Sequence, residues 1–132
     1  MKLHSLIIAA GFVALSATGS FAGDDNEAYV TQASTANLSY VRQAGNGNYA
    51  AHTQEGVGAN NAGTVQNGNS NIAAVYQGSE WNNSSINQDG SGNTADVQQY
   101  GGFNASGVSQ GGGDNYARVI QGGNYNSSTV EQ

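Results

Sequence analysis

GGGDNYARVIQ (111–121) runs directly into GGNYNSSTVEQ (122–132). Laid over each other, the two stretches place Asn, a small residue, Val and Gln at the same positions. Working back through the chain, the same Gln recurs at Gln32, Gln43, Gln54, Gln66, Gln77, Gln88, Gln99, Gln110, Gln121 and Gln132, eleven residues apart except for one twelve-residue step from Gln54 to Gln66. Six residues before each lies Asn26, Asn37, Asn48, Asn60, Asn71, Asn82, Asn93, Asn104, Asn115 or Asn126. Ten copies of one unit fill the chain, and internal repetition of this kind is read before anything else.

Inside each Asn-to-Gln segment the third residue is Ala or Ser in every copy. The fifth is Val or Ile in eight of ten, the exceptions being His52 and Thr64. Positions one, three, five and seven therefore form one face with a period of two, as in a β-strand. Positions two, four and six vary as an exposed face does. The linkers, such as AGNG, NGNS, DGSG and GGGD, with the longer EGVGA at 55–59, have Gly second in seven of nine and Ser34 or Ser79 in the other two. Such residues permit tight reversals.

Ala and Ser alternate at the third position everywhere but Ala62, and Trp81, Phe103 and Tyr125 recur 22 residues apart in alternate turns. The true repeat is therefore 22 residues, two strands and two turns, present five times. One strand carries too little apolar surface to stand alone, so strands must stack. The expected fold is all-β: a β-solenoid of five strand-turn-strand repeats with two facing parallel sheets and cross-β stacking. A seven-residue strand is roughly 23 Å long, and five rungs stack to about 24 Å. Inward Asn and Gln then meet their own copies on adjacent rungs, where each amide can both donate and accept.

The first 22 residues belong to another class. Lys2 and His4 precede an apolar run from Leu6 to Leu15, and SATGSFA places Ser20 and Ala22 around Phe21. This is the pattern of a secretory signal peptide cut after Ala22. The run falls short of the roughly 20 residues of a membrane-spanning helix. Residues 23–25 are then a short lead, and residues 26–132 the repeat domain, with no membrane insertion expected.

The net charge is −6, and beyond the leader only Arg42 and Arg118 offset nine carboxylates. Nucleic acid, which requires clustered Lys and Arg, is not an expected partner. Without Cys, disulfides are excluded as the staple of an exported chain. His52 stands in the core stack between Val30 and Val75, with Ala50 and Gln54 beside it, and reads as a packed imidazole. No catalytic, cofactor or metal residues are expected. The Asp in GGGDN (111–115) lacks the repetition of a calcium-binding solenoid turn. Asp96 and Arg118 occupy equivalent positions on adjacent rungs and are expected to pair.

The first strand follows a short lead, and the last runs to Gln132, with only Glu27 and Glu131 as edge charges. Uncapped edges invite further strands, and a head-to-tail contact that does not close grows a filament. The pattern Gln-x-Gly-x-x-Asn-x-Ala-x-Val-x-Gln, seen in QDGSGNTADVQQ (88–99), resembles the curlin repeat. Five 22-residue repeats behind a signal peptide are similar to the major subunit of curli. The resemblance implies a secreted homopolymer of an extracellular functional amyloid in the biofilm matrix of a Gram-negative bacterium. It also implies a minor nucleator subunit, an outer-membrane secretion pore and a periplasmic chaperone as partners. The Gly-rich segment that precedes the first repeat in the major subunit has no counterpart in residues 23–25. The regular ending NSSTVEQ favours the polymerising role over that of the nucleator. A monomeric secreted solenoid that binds ice or carbohydrate is the alternative from another class. Capped ends would be its signature. The aromatics Trp81, Phe103 and Tyr125 are expected to form a ladder along one edge, either filling turns or offering a binding stripe.

Overall fold

The structure, a computed structural model, describes residues 4–9, 21–33 and 36–132. The expected leader lies largely outside the described residues. Two short pieces of it are described, β1 (His4–Ala9) and β2 (Phe21–Ala22). Ten strands follow: β3 (Glu27–Gln32), β4 (Leu38–Ala44), β5 (Tyr49–Glu55), β6 (Asn61–Asn69), β7 (Ile72–Gly78), β8 (Asn83–Ser91), β9 (Thr94–Tyr100), β10 (Ala105–Gly113), β11 (Tyr116–Gly122) and β12 (Ser127–Glu131). Odd strands form one parallel sheet, β1-β3-β5-β7-β9-β11, and even strands the other, β2-β4-β6-β8-β10-β12. The chain is thus the all-β solenoid of about five turns that the repeat implied, each turn one odd and one even strand.

Alternation along each strand decides what is inside. Strand β9 reads Thr94 half-buried, Ala95 buried, Asp96 half-buried, Val97 buried, Gln98 half-buried and Gln99 buried. Register carries like onto like, with Val75 opposite Val97 and Val97 opposite Val119. Each fully buried Val or Ile contributes about 1.5–3 kcal/mol. The extra residue of the 55–59 turn is taken up in the loop, where Val57 points to solvent, so Gln66 still lies opposite both Gln43 and Gln88.

The apolar core is not continuous. Ala28, Val30, Val41 and Ala50 form one cluster, and Ala62, Ala73, Val75 and the buried residues of later rungs form another. The break falls at His52 and Thr64, the two polar fifth positions, both fully buried.

The first rung is not bare among the described residues. Strand β1 pairs with β3 from His4 opposite Glu27 to Ala9 opposite Gln32, and β2 places Phe21 opposite Gln43. This differs from a solenoid whose first edge is open, because the residues ahead of Gly23 supply backbone partners there.

Turns stack as tightly as strands. Gly68 has φ 119°, and a Cβ on it would run into the main-chain oxygen of Gly90 on the next rung. Gly107 has ordinary φ, and a Cβ there meets nothing within 4 Å. Replacing Gly68 by Ala is expected to cost more than about 1 kcal/mol in denaturant unfolding, because positive φ and lack of space act together. Gly107→Ala is expected to leave the midpoint unchanged or slightly raised. Equal effects of the two substitutions would contradict the stacked-turn geometry.

Candidate functional site

Each interior Gln, from Gln54 to Gln110, spans the gap between the sheets and completes its hydrogen bonds in two directions. In the odd sheet the Nε2 of Gln32 donates to Oε1 of Gln54 at 2.6 Å, Gln54 to Gln77 at 2.8 Å, Gln77 to Gln99 at 2.9 Å and Gln99 to Gln121 at 2.8 Å. In the even sheet Gln43, Gln66, Gln88, Gln110 and Gln132 form the same chain, each step 2.9 Å. The second N–H crosses to a main-chain carbonyl of the facing sheet, as from Gln54 to Leu38 and from Gln77 to Asn61. The ladder therefore ties rung to rung and sheet to sheet.

The Asn ladder runs in the opposite sense. The main-chain N–H of Asn48 donates down to Oδ1 of Asn26 at 2.9 Å, Asn71 to Asn48 at 3.1 Å, Asn93 to Asn71 at 3.0 Å and Asn115 to Asn93 at 3.1 Å. On the other side Asn60 donates to Asn37, Asn82 to Asn60, Asn104 to Asn82 and Asn126 to Asn104, at 3.0–3.2 Å. Side-chain Nδ2 groups reach up to turn carbonyls on the next rung, as from Asn48 to Gly68 at 2.8 Å. Asn thus fixes the turn whose glycine cannot hold a side chain.

These ladders end unfinished. Oε1 of Gln32 and of Gln43, both buried at the first rung, have no hydrogen-bond partner. In register, Ala9 of β1 lies opposite Gln32 and Phe21 of β2 opposite Gln43. At the last rung Gln121 and Gln132 donate one N–H each to Ala105 and Tyr116 carbonyls. No strand among the described residues lies beyond β11 and β12 to take the other N–H. There the two sheets leave an open concavity of about 450 Å³, lined by Val119, Gln121, Asn126, Ser128 and Val130 among others.

His52 is held by partners on the facing sheet. Its Nδ1 lies 2.7 Å from Ser39 Oγ and its Nε2 2.7 Å from Thr64 Oγ1, so a neutral ring meets two hydroxyls, each able to donate or accept. The sequence marked His52 and Thr64 as the two polar fifth positions, but not that either Thr64 or Ser39 faces the imidazole. Ser84 and Ser106 occupy the same third position as Ser39 in the even sheet, and their hydroxyls have no partner.

Burial pulls the His52 pKa down from 6.5 to about 4. The folded state therefore favours the neutral ring. Its stability is full above pH 6.5 and falls as pH drops toward 4, by a total of about 3 kcal/mol at 1.36 kcal/mol per unit. The charged and phenolic groups on the packed strands, Glu27, Tyr29, Tyr40, Arg42, Tyr49, Glu55 and Tyr76, alternate away from this core position. None faces the ring to stabilise a positive charge. Urea midpoints measured across pH 4–6.5 are expected to fall for the natural chain and to fall markedly less for His52→Val. Parallel profiles would show that the imidazole does not govern acid stability.

The edge aromatics stack. Trp81 and Phe103 have centroids 6.1 Å apart with planes 10° from parallel, and Phe103 and Tyr125 are 5.0 Å apart at 13°. All three sit at positive φ, 57–60°, which large side chains rarely adopt. A strain of about 1–2 kcal/mol per residue is offset in part by about 0.5–1.5 kcal/mol per stacked pair. Phe103 is stacked on both faces, while Trp81 and Tyr125 each use one face on it and remain exposed. The stacking locks successive turns together along one edge. Asp96 and Arg118 pair at 3.3 Å across β9 and β11, with Arg118 half exposed.

Among the described residues no group of three or more His, Cys, Asp or Glu could hold a metal ion, and no helix is long and apolar enough to cross a membrane. A family described as the curlin associated repeat matches residues 23–56 and 68–101, about half of the chain. The chain belongs to the curlin associated repeat family. Neither the comparison with curated proteins nor that with solved structures gave a match. The first matched segment covers the first rung and the odd strand of the second, the other covers the third rung and the odd strand of the fourth, and the curlin repeat here is the amide-laddered rung described above.

Proposed function

We propose that this curlin-repeat chain is the polymerising subunit of an extracellular, curli-like amyloid fibre that supports biofilm matrix and surface adhesion. The observation that carries this reading is the complementarity of the two unfinished ends. Gln121 and Gln132 offer N–H donors where Gln32 and Gln43 of a next copy offer orphaned oxygens. In the opposite sense, Oδ1 of Asn115 and Asn126 continues the Asn ladder toward the main-chain N–H groups of Asn26 and Asn37 of that copy. Stacking the first rung of one copy on the last rung of another thus extends both ladders without a change of register.

Outward residues favour the same joint. Tyr29 and Tyr49 make contact between rungs, position four of one strand with position two of the strand above. By that rule Arg118 of one copy meets Glu27 of the next. Opposite charges at a joint speed encounter and disfavour wrong registers. Because the contact is heterologous and leaves the same two ends free, it propagates as a filament.

Under this reading residues 1–22 are a signal peptide, and its removal frees the edges of β3 and β4 for the next copy. Export through an outer-membrane pore, with a periplasmic chaperone and a minor nucleating subunit, belongs to the same proposal. Chains beginning at Gly23, diluted from denaturant, are expected to polymerise after a lag that preformed fibres abolish, as followed by thioflavin T fluorescence. A charged, Pro-containing tail added after Gln132 should slow elongation several-fold. Growth that is indifferent to the tail would remove β12 from the joint.

A further inference from the structure

Two pairs of tyrosines on the outer face of the odd sheet are unused by the ladders. Tyr29 and Tyr49 lie on adjacent strands β3 and β5 with ring centroids 5.6 Å apart and planes tilted 41°. Tyr76 and Tyr100 repeat the arrangement on β7 and β9, at 5.3 Å and 42°. Small residues make room: Ala51 is the register partner of Tyr29, and Gly78 that of Tyr100. A Cβ on Gly78 would come within 3.0 Å of the Tyr76 ring.

In each pair one phenol donates to a carboxylate, Tyr29 to Glu27 at 3.4 Å and Tyr76 to Glu55 at 3.1 Å. Both phenols titrate above the ordinary tyrosine value, Tyr29 chiefly through the Glu27 charge and Tyr76 chiefly through burial. They therefore remain protonated, and losing an electron requires a proton acceptor within reach. The carboxylate supplies one. The other ring of each pair, Tyr49 or Tyr100, is more than a third exposed and open to an oxidant.

We propose that Tyr29–Tyr49 and Tyr76–Tyr100 are oxidative cross-linking sites, at which a peroxidase-type one-electron oxidant with hydrogen peroxide joins each pair as dityrosine. Each phenol loses one electron and one proton, Tyr29 and Tyr76 to Glu27 and Glu55, and Tyr49 and Tyr100 to water. The two radicals couple through a carbon–carbon bond between positions ortho to the oxygens. The ring hydrogens at those carbons then move to the oxygens and restore both phenols. The peroxide takes up the two electrons and two protons and leaves as two waters.

One bond would clamp the first rung to the second and the other the third to the fourth, after folding has brought the strands together. This inference stands apart from polymerisation, since both pairs lie within one chain. The test treats the folded full-length chain with peroxidase and peroxide, digests it, and maps dityrosine by mass spectrometry. Linked peptides are expected at 29–49 and 76–100, with at least ~10-fold less of each when the chain is oxidised in denaturant, because folding supplies the proximity. Tyr29→Phe should abolish the first link and spare the second. Glu55→Gln should slow the second several-fold without changing the unfolding midpoint. Dityrosine spread equally over Tyr40, Tyr116 and Tyr125, or a yield indifferent to unfolding, would overturn the proposal.

Discussion

A buried Gln carboxamide is satisfied here by its own copy one rung away together with a carbonyl of the facing sheet. Each interior Gln places one N–H on the next Gln and the other on the facing sheet, while its oxygen receives the rung below. A buried polar group left without a partner costs about 1–3 kcal/mol, so a slipped rung would leave several such groups unpaired at once. The apolar core of Val, Ile and Ala gives the chain its reason to collapse. The amides give it one register in which to do so. Turn glycines follow from the same constraint, since the spacing that lets amides meet also brings turn backbones too close for a side chain.

Departures from the repeat show how far the constraint tolerates variation. His52 enters the core because Ser39 and Thr64 supply both of its partners, and the apolar clusters divide there as a consequence. The rung is specified by polar contacts at the expense of acid stability. The edge aromatics lie at the other limit, with backbone strain accepted where ring stacking along the axis offsets part of it.

Much of this was legible in the sequence because a repeat supplies its own alignment. The Gln and Asn spacings gave strand faces, and the 22-residue period gave two parallel sheets. Equivalent positions on neighbouring rungs gave the Asp96–Arg118 contact and the stacking of Trp81, Phe103 and Tyr125. Contacts between facing sheets were not legible, since the period says nothing of which odd residue faces which even one. That is why Ser39 and Thr64 were missed as partners of His52. The opposite directions of the Gln and Asn ladders were hidden for a related reason: composition names donors and acceptors but not which way an amide points. The pairing of His4–Ala9 with β3 was also unexpected, because a leader is read by its targeting pattern and not as a strand.

The two ladder directions give the solenoid a polarity, and under the proposed function growth of a fibre would continue a pattern already satisfied inside each chain. The most direct measurement is solid-state NMR on fibres copolymerised from two batches of chain, one carrying 15N and the other 13C in its Gln side chains. Nitrogen-to-carbon transfer then arises only between copies. The expected result is transfer from Gln121 to Gln32 and from Gln132 to Gln43, with the interior glutamines silent. Fibres showing no transfer, or transfer among interior glutamines such as Gln77 and Gln99, would contradict the continuation of the ladders across the joint.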